Sequence, residues 1–283
     1  MIIDIHTHTF PEAIAEKTLA KLAALADSKP YVSGTNDGLS ESMSRYHVDR
    51  SVILPVVTSP KQCETINRVA CEVNEKSEET GLYSFGGIHP DCENYREILK
   101  GLAANGIRGI KLHPAYQKVD FDDLRFIRIV EAAAELDLAI TVHAGWDIGI
   151  PEHNYSDPDQ ILKVYETVRP KKLILAHMGG WEDWDAVEEK LVGKELYLDT
   201  SFSLTKIRGL HGTERDQMKT EQFVRMVRAH GAERVLMGSD SPWADQYEAI
   251  DALLSSGLTD DELHLILGEN ARKLLFADEK EKS

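Results

Sequence analysis

Met1-Ile-Ile-Asp-Ile-His-Thr-His-Thr9 opens the chain, and its alternation decides how the rest is read. Successive strand residues point to opposite faces, so Asp4, His6 and His8 are expected on one side and Ile3, Ile5 and Thr7 on the other. The stretch reads as a short strand ending in two imidazoles. Such a pair at a strand's C-terminal end, with a carboxylate behind it, forms a pair of nitrogen ligands for a transition metal. The same short pattern also arises from ordinary surface or core histidines. Its meaning depends on what the other strands deliver.

Outward from that stretch, apolar runs alternate with helical patterns. Pro11 opens a helix in which Ile14, Leu19, Leu22 and Leu25 recur at roughly helical spacing; Asp27 to Gly38 reads as loop, and a second helix spans Leu39 to His47. The expected strands are Ser51–Val57, Leu82–His89, Gly106–His113, Leu138–Ala144, Lys172–His177, Leu196–Ser201 and Arg234–Ser241. With the opening stretch they number eight. Helices are expected between them, including Gln62–Thr80 with Ile66, Val69, Ala70 and Val73 inward, and after the last strand. Eight short strands alternating with helices predict a parallel (β/α)8 TIM barrel rather than an open doubly wound sheet. No Gly-X-Gly-X-X-Gly follows the first strand, which weakens the nucleotide-binding version of the open sheet. Residues 1–276 read as one barrel domain, and 277–283 as a charged tail.

Composition narrows the function classes. The formal charge is −16, from 48 acidic and 32 basic residues, which argues against long-range attraction to nucleic acid or an anionic membrane. Cys63, Cys71 and Cys92 form no Cys-X-X-Cys pair, so reduced thiols in a cytoplasmic protein are expected. The chain has neither the signature of a secretory signal at its start nor an apolar run of membrane-spanning length. A small molecule is the expected partner, and a homodimer is the general expectation for oligomeric state.

In a barrel the C-terminal strand ends surround one mouth, where active sites of this fold are built. His6, His8, His89, His113, His143 and His177, six of the eleven histidines, fall at expected strand ends, together with Lys111 and Asp240. Taken singly, His143 or His177 reads equally well as a buried structural histidine, and Asp240 as a turn residue before Ser241-Pro242. Taken together they read as ligands and catalytic groups. Three imidazoles and one carboxylate can hold zinc or a similar divalent ion and leave room for water, whose pKa the metal lowers to about 7. Asp240 is then a ligand and proton acceptor, and His177 a hydrogen-bonding partner of the water or substrate. Lys111 and His113 share a strand parity that lets both face the mouth, where the Lys111 ammonium is available to an anionic substrate group. Trp146, Trp181, Trp184 and Trp243 follow strand ends and could wall a pocket for a planar substrate, and Arg208 in the loop Phe202–Arg215 could supply an anion contact.

This ordered set, His6-Thr7-His8, His143, His177 and Asp240, resembles the amidohydrolase superfamily across the whole chain. More narrowly, Gly109-Ile-Lys-Leu-His-Pro114, Ala176-His-Met-Gly-Gly180, Gly238-Ser-Asp-Ser-Pro242 and Asn270-Ala-Arg-Lys-Leu-Leu275 look like the amidohydrolase-related branch, which includes aminocarboxymuconate-semialdehyde decarboxylase. The resemblance implies that His6, His8, His143 and Asp240 hold one zinc and that His177 acts beside the bound water. It also implies a second arrangement, in which a carboxylated Lys111 bridges two metals and His177 binds the second. The implied activity is hydrolysis of a small molecule, with decarboxylation as the alternative, because the branch's decarboxylases use nearly the same ligands. Gly87-Ile-His-Pro90 and Ser239-Asp-Ser-Pro242 are also similar to TatD-type nucleases, which usually carry a glutamate on strand four where Lys111 stands. Asp4-Ile-His-Thr-His8 resembles polymerase-and-histidinol-phosphatase-type phosphoesterases, whose later ligands fit less well. A catalytically silent metal-binding protein is the reading from a different class.

Overall fold

The computed structural model describes residues 1–215 and 217–277; of the expected tail, 278–283 lie outside the described residues. Strand β1 (Ile3–Thr7) is buried along its whole length and pairs in parallel with β2 (Arg50–Ile53), which pairs in parallel with β3 (Leu82–Ser84). Past Phe85 the same segment resumes as β4 (Gly86–Gly87). From there parallel pairings run through β5 (Gly109–Leu112), β6 (Ala139–Val142), β7 (Leu173–Leu175) and β8 (Tyr197–Asp199). Two short strands, β9 (Ile207–Arg208) and β10 (Glu214–Arg215), form an antiparallel pair outside this series, and β11 (Val235–Leu236) completes it beside β8. The ring closes through backbone bonds: Ile5 N–H donates to Met237 O at 3.0 Å and Asp240 N–H to His6 O at 2.8 Å. The fold is the expected (β/α)8 barrel, with β3 and β4 together forming its third stave.

The staves are shorter than the apolar runs that announced them. Ser51–Val57 reads as one strand, but the ladder stops at Ile53, two residues before Pro55, which has no N–H to donate. At Gly87 a Cβ would stand 2.5 Å from Val57 Cγ2, so the chain after β2 lies directly against the backbone of β4. Alternate strand residues divide the interior. Ile110, Leu112, Ile140, Val142, Leu173, Leu175 and Leu198 pack outward with the helices, whereas Ile3, Ile5, Val52, Phe85, Ala139, Ile174 and Leu236 meet inside the barrel over Phe276.

In the helix Glu12–Ala26, Ala15, Leu19 and Ala23 are the buried stripe, and Ile14 and Leu25 are 52% and 51% exposed. This helix stands off the barrel and does not cover a strand, so its apolar content does not report a single core face. The expected alternation fails in β1. Ile3, Asp4 and Thr7 face Arg50, Ser51 and Ile53, so β1 gains one residue on β2 between Asp4 and Thr7. This β-bulge breaks the strict alternation. Asp4 points outward and accepts hydrogen bonds from Ser239 N–H (3.0 Å), the Ser239 hydroxyl (2.5 Å) and Gln246 Nε2 (2.8 Å). His6 and His8 turn into the mouth without it.

Candidate metal centre

The mouth is built from the residues that follow the last strand pairings. His8 Nε2 lies 3.1 Å and His6 Nε2 3.7 Å from Asp240 Oδ1, and the three ligand atoms fall within 4.8 Å of one another. Both imidazoles have their other nitrogen committed. His6 Nδ1–H donates to Asp199 Oδ2 at 2.8 Å, and His8 Nδ1–H to Leu54 O at 2.8 Å. Each therefore turns its Nε2 toward Asp240, the arrangement that second partners impose on metal-ligating histidines. Asp240 takes a left-handed conformation, with φ of 72°, which is uncommon for a side-chain-bearing residue but best tolerated by Asp and Asn. Its N–H bond to His6 O ties the turn to β1.

Electrostatics favours a cation at this point. Burial pushes the Asp240 carboxyl up, but the facing His6, His8 and His177 outweigh it and hold it down at about 2. Burial, reinforced by Lys111, keeps His6 well below the usual histidine range and so neutral. Two imidazoles and an ionised carboxylate are hard-to-borderline donors suited to zinc or manganese. Lys111, 1% exposed, reaches from β5 to within 3.3 Å of His6 Nε2. Burial brings its ammonium down to about 8, against the pull of Asp199, Asp240 and Asp147.

The expected fourth ligand stands one step away. His143 does not join the His6–His8–Asp240 group; its Nδ1 lies 3.1 Å from His177 Nε2. His177 sits between, its ring centroid 5.2 Å from that of His6 and 4.8 Å from that of His143. His113 stacks on His143 at 4.2 Å and 8°, and the Nε2 atoms of the two lie 3.7 and 3.6 Å from Asp147 Oδ2. Burial pushes the Asp147 carboxyl up to about 6. His6, His8 and Asp240 thus converge in one group and His113, His143 and Asp147 in another, the two joined through His177.

Other expectations are corrected. His89 does not line the cavity; its Nδ1 accepts Asp91 N–H at 3.2 Å in a turn. Arg208 is not an open anion contact, because its guanidinium donates to the Tyr31 hydroxyl and to Glu248 Oε1 (2.7 Å). Trp184 also stands off the cavity and donates its indole N–H to His177 O at 3.0 Å. Trp146, Trp181 and Trp243, with Phe202 and Tyr116, do line it. The cavity measures about 1140 Å³ and extends from the histidines to a groove between the helices Glu12–Ala26 and Cys63–Asn74. Sequence reading missed Asp199 and Ser201. The signal was present: they alternate at the end of the seventh stave, as polar residues do at the other strand ends.

The model of the amidohydrolase family matches residues 3–277. The chain belongs to the amidohydrolase family. No curated protein matches the sequence, but solved structures of this amidohydrolase's fold do. A 5-carboxyvanillate decarboxylase from Novosphingobium aromaticivorans, complexed with manganese and 4-hydroxy-3-methoxy-5-nitrobenzoic acid, matches with a TM-score of 0.71 and 12% identity over 97% of this chain and 96% of that one. A dihydroxybenzoic acid decarboxylase from a Polaromonas species, with bound manganese and 2-nitroresorcinol, gives 0.68 and 14% over 99% and 98%. The IDCase of Metarhizium anisopliae gives 0.65 and 18% over 99% and 98%. At these identities the likeness is one of fold. Among the described residues, no helix is long and apolar enough to cross a membrane.

Proposed function

We propose that this amidohydrolase is a divalent-metal enzyme that removes a carboxylate from a planar small-molecule acid. The observation that carries the metal reading is the convergence of His6 Nε2, His8 Nε2 and an ionised Asp240 Oδ1. His6, His8 and Asp240 would hold the ion, with zinc and manganese both suited to the donors. When bound, the metal supplies Lewis-acid polarisation of a substrate oxygen. The residues of the chain do the rest. The tryptophans and Tyr116 give a planar molecule flat apolar walls, and Lys111, the buried cation at the floor, pairs with its carboxylate. His177, whose Nε2 faces His143, is placed to deliver the proton that replaces carbon dioxide on the substrate carbon. The fold neighbours named as decarboxylases support this reading.

Hydrolysis through a metal-activated water is the second reading. The same ligands serve it, and Asp240 would then accept the water's proton. A second metal on a carboxylated Lys111 belongs to that reading. The three cysteines, all free, fit a reducing cytoplasmic compartment.

The deciding experiment supplies zinc- or manganese-loaded protein with 2,6-dihydroxybenzoate, 5-carboxyvanillate and a set of esters, amides and lactones. Carbon dioxide release, with one solvent deuterium in the product made in D2O, supports decarboxylation. Turnover confined to the esters, amides or lactones establishes hydrolysis. Failure to retain metal defeats both.

A further inference from the structure

Asp199 has no place in the ligand set or the proton step, yet it touches both. It is the last residue of β8 and fully buried. Oδ2 accepts His6 Nδ1–H at 2.8 Å. Oδ1 accepts the backbone N–H groups of His177 (3.1 Å) and Ser201 (3.0 Å), as well as the Ser201 hydroxyl. One carboxylate thus receives four donors, about its full accepting capacity. We propose that Asp199 is a positioning residue that fixes the tautomers of both His6 and His177; the inference rests on the metal-centre reading of the mouth.

Because Asp199 can only accept, His6 must carry its proton on Nδ1, and Nε2 is left bare toward Asp240. The Ser201 hydroxyl spends its one proton on Asp199, so its oxygen can only accept from other neighbours. His177 Nδ1 lies 3.0 Å from that oxygen and 3.1 Å from Ser201 O, both acceptors. His177 must therefore be protonated on Nδ1, with its Nε2 turned toward His143 Nδ1. The same carboxylate holds the His177 N–H while the residue adopts a left-handed φ of 59°, a strained conformation that persists only where the surroundings enforce it. His6, His177 and Asp199 could themselves surround a cation. Such an ion would have to displace the four donors already on the carboxylate, which favours positioning over ligation.

Asp199→Asn keeps the shape and turns one acceptor into a donor that faces His6 Nδ1. In the full chain, zinc affinity measured by chelator competition should fall 10–100-fold, the range seen when such partners are removed. In the metal-free protein, imidazole ¹⁵N shifts should show His6 leaving the Nδ1–H tautomer, a change that mere loosening of the fold would not produce. Ser201→Ala keeps the His6–Asp199 bond and removes only the weaker-placed Ser201 Oγ contact at His6 Nδ1 (2.9 Å); it should keep zinc affinity within a few-fold while the His177 ¹⁵N shifts change. Unaltered zinc affinity and an unaltered His6 tautomer in Asp199→Asn would overturn the proposal. If that variant does not fold, unchanged His177 shifts in Ser201→Ala would overturn it. A wild-type protein that binds no zinc would sink the metal reading, yet the tautomers of His6 and His177 would still be measurable.

Discussion

Gly238, between the last stave and Asp240, offers a test that touches no chemical group of the site. A methyl group there would stand 2.8 Å from His6 Cβ and 3.2 Å from Ser201 Cβ. Carbon atoms settle at about 3.5–4.0 Å, so Gly238→Ala must open a gap of roughly 0.7 Å at His6. The His6 backbone is buried in β1, and its ring is pinned by Asp199 at 2.8 Å, so the strain passes to the ring or to the neighbouring stave. Overpacking of this kind costs about 1–3 kcal/mol. Ligand constellations tolerate displacements of only about 0.5 Å, so metal affinity should fall at least about tenfold, or roughly 1.4 kcal/mol. Gly101→Ala is the control. It lies in the helix Tyr95–Ala104 with nothing within 4 Å of its added Cβ, and should stabilise by about 1 kcal/mol. Chelator competition for zinc and a urea midpoint for each variant provide the comparison. If Gly238→Ala binds zinc as tightly and unfolds at the same urea as the wild type, the packing argument at His6 is wrong.

Asp240→Ala and His8→Ala should each abolish stoichiometric metal in a folded protein, whereas His143→Ala should weaken binding less; elemental analysis of the purified variants ranks them, and equal losses would move His143 into the ligand set. Lys111→Met removes a cation from His6 Nε2, so metal affinity should rise several-fold while binding of a carboxylate substrate weakens, as measured by titration. Metal content should stay at about one equivalent per chain with added bicarbonate, and two equivalents would establish the carboxylated-lysine centre. His230, fully buried, accepts Gly193 N–H at Nδ1 (3.1 Å) and donates from Nε2 to Leu196 O (2.9 Å). Burial brings it down to about 4, so the unfolded chain takes up a proton that the folded chain refuses. Its contribution, at most about 3 kcal/mol, is complete above pH 6.5 and lost as pH falls toward 4. His230→Gln should unfold with a slope in that window smaller by about one proton; an unchanged slope would remove His230 from the acid response.

The barrel was legible because it depends on a repeated pattern. Runs such as Leu138–Ala144 and Lys172–His177 are buried on both faces, so their apolar density marks strands wherever they end. The mouth was legible because strand ends point there, which brought His6, His8, His113, His177, Lys111 and Asp240 together from distant parts of the chain. Sequence could not show how the rings divide within the mouth. His143 and His177 each end a stave, and only side-chain rotation decides that His177 meets His6. The direction of Asp4 was misread because the β-bulge carries no residue signature, with Ile5 and His6 both ordinary strand residues. Asp199 went unread because its four donors are supplied by β1, its own stave and the turn at His177, which only the closed barrel brings together.

The extra residue between Asp4 and Thr7 makes Ile5 and His6, neighbours in the chain, serve two storeys of one building. Ile5 belongs to the dry floor with Val52, Phe85 and Leu236, and His6 to the wet room above. A deletion of one residue there would carry an imidazole into hydrocarbon or an isoleucine into the reaction chamber, and no rotamer could compensate. The loops around the mouth can be lengthened or exchanged to admit other substrates, but the spacing of the first seven residues is the datum from which the chamber is measured. Library designs that diversify this protein should vary the rim and leave that spacing fixed.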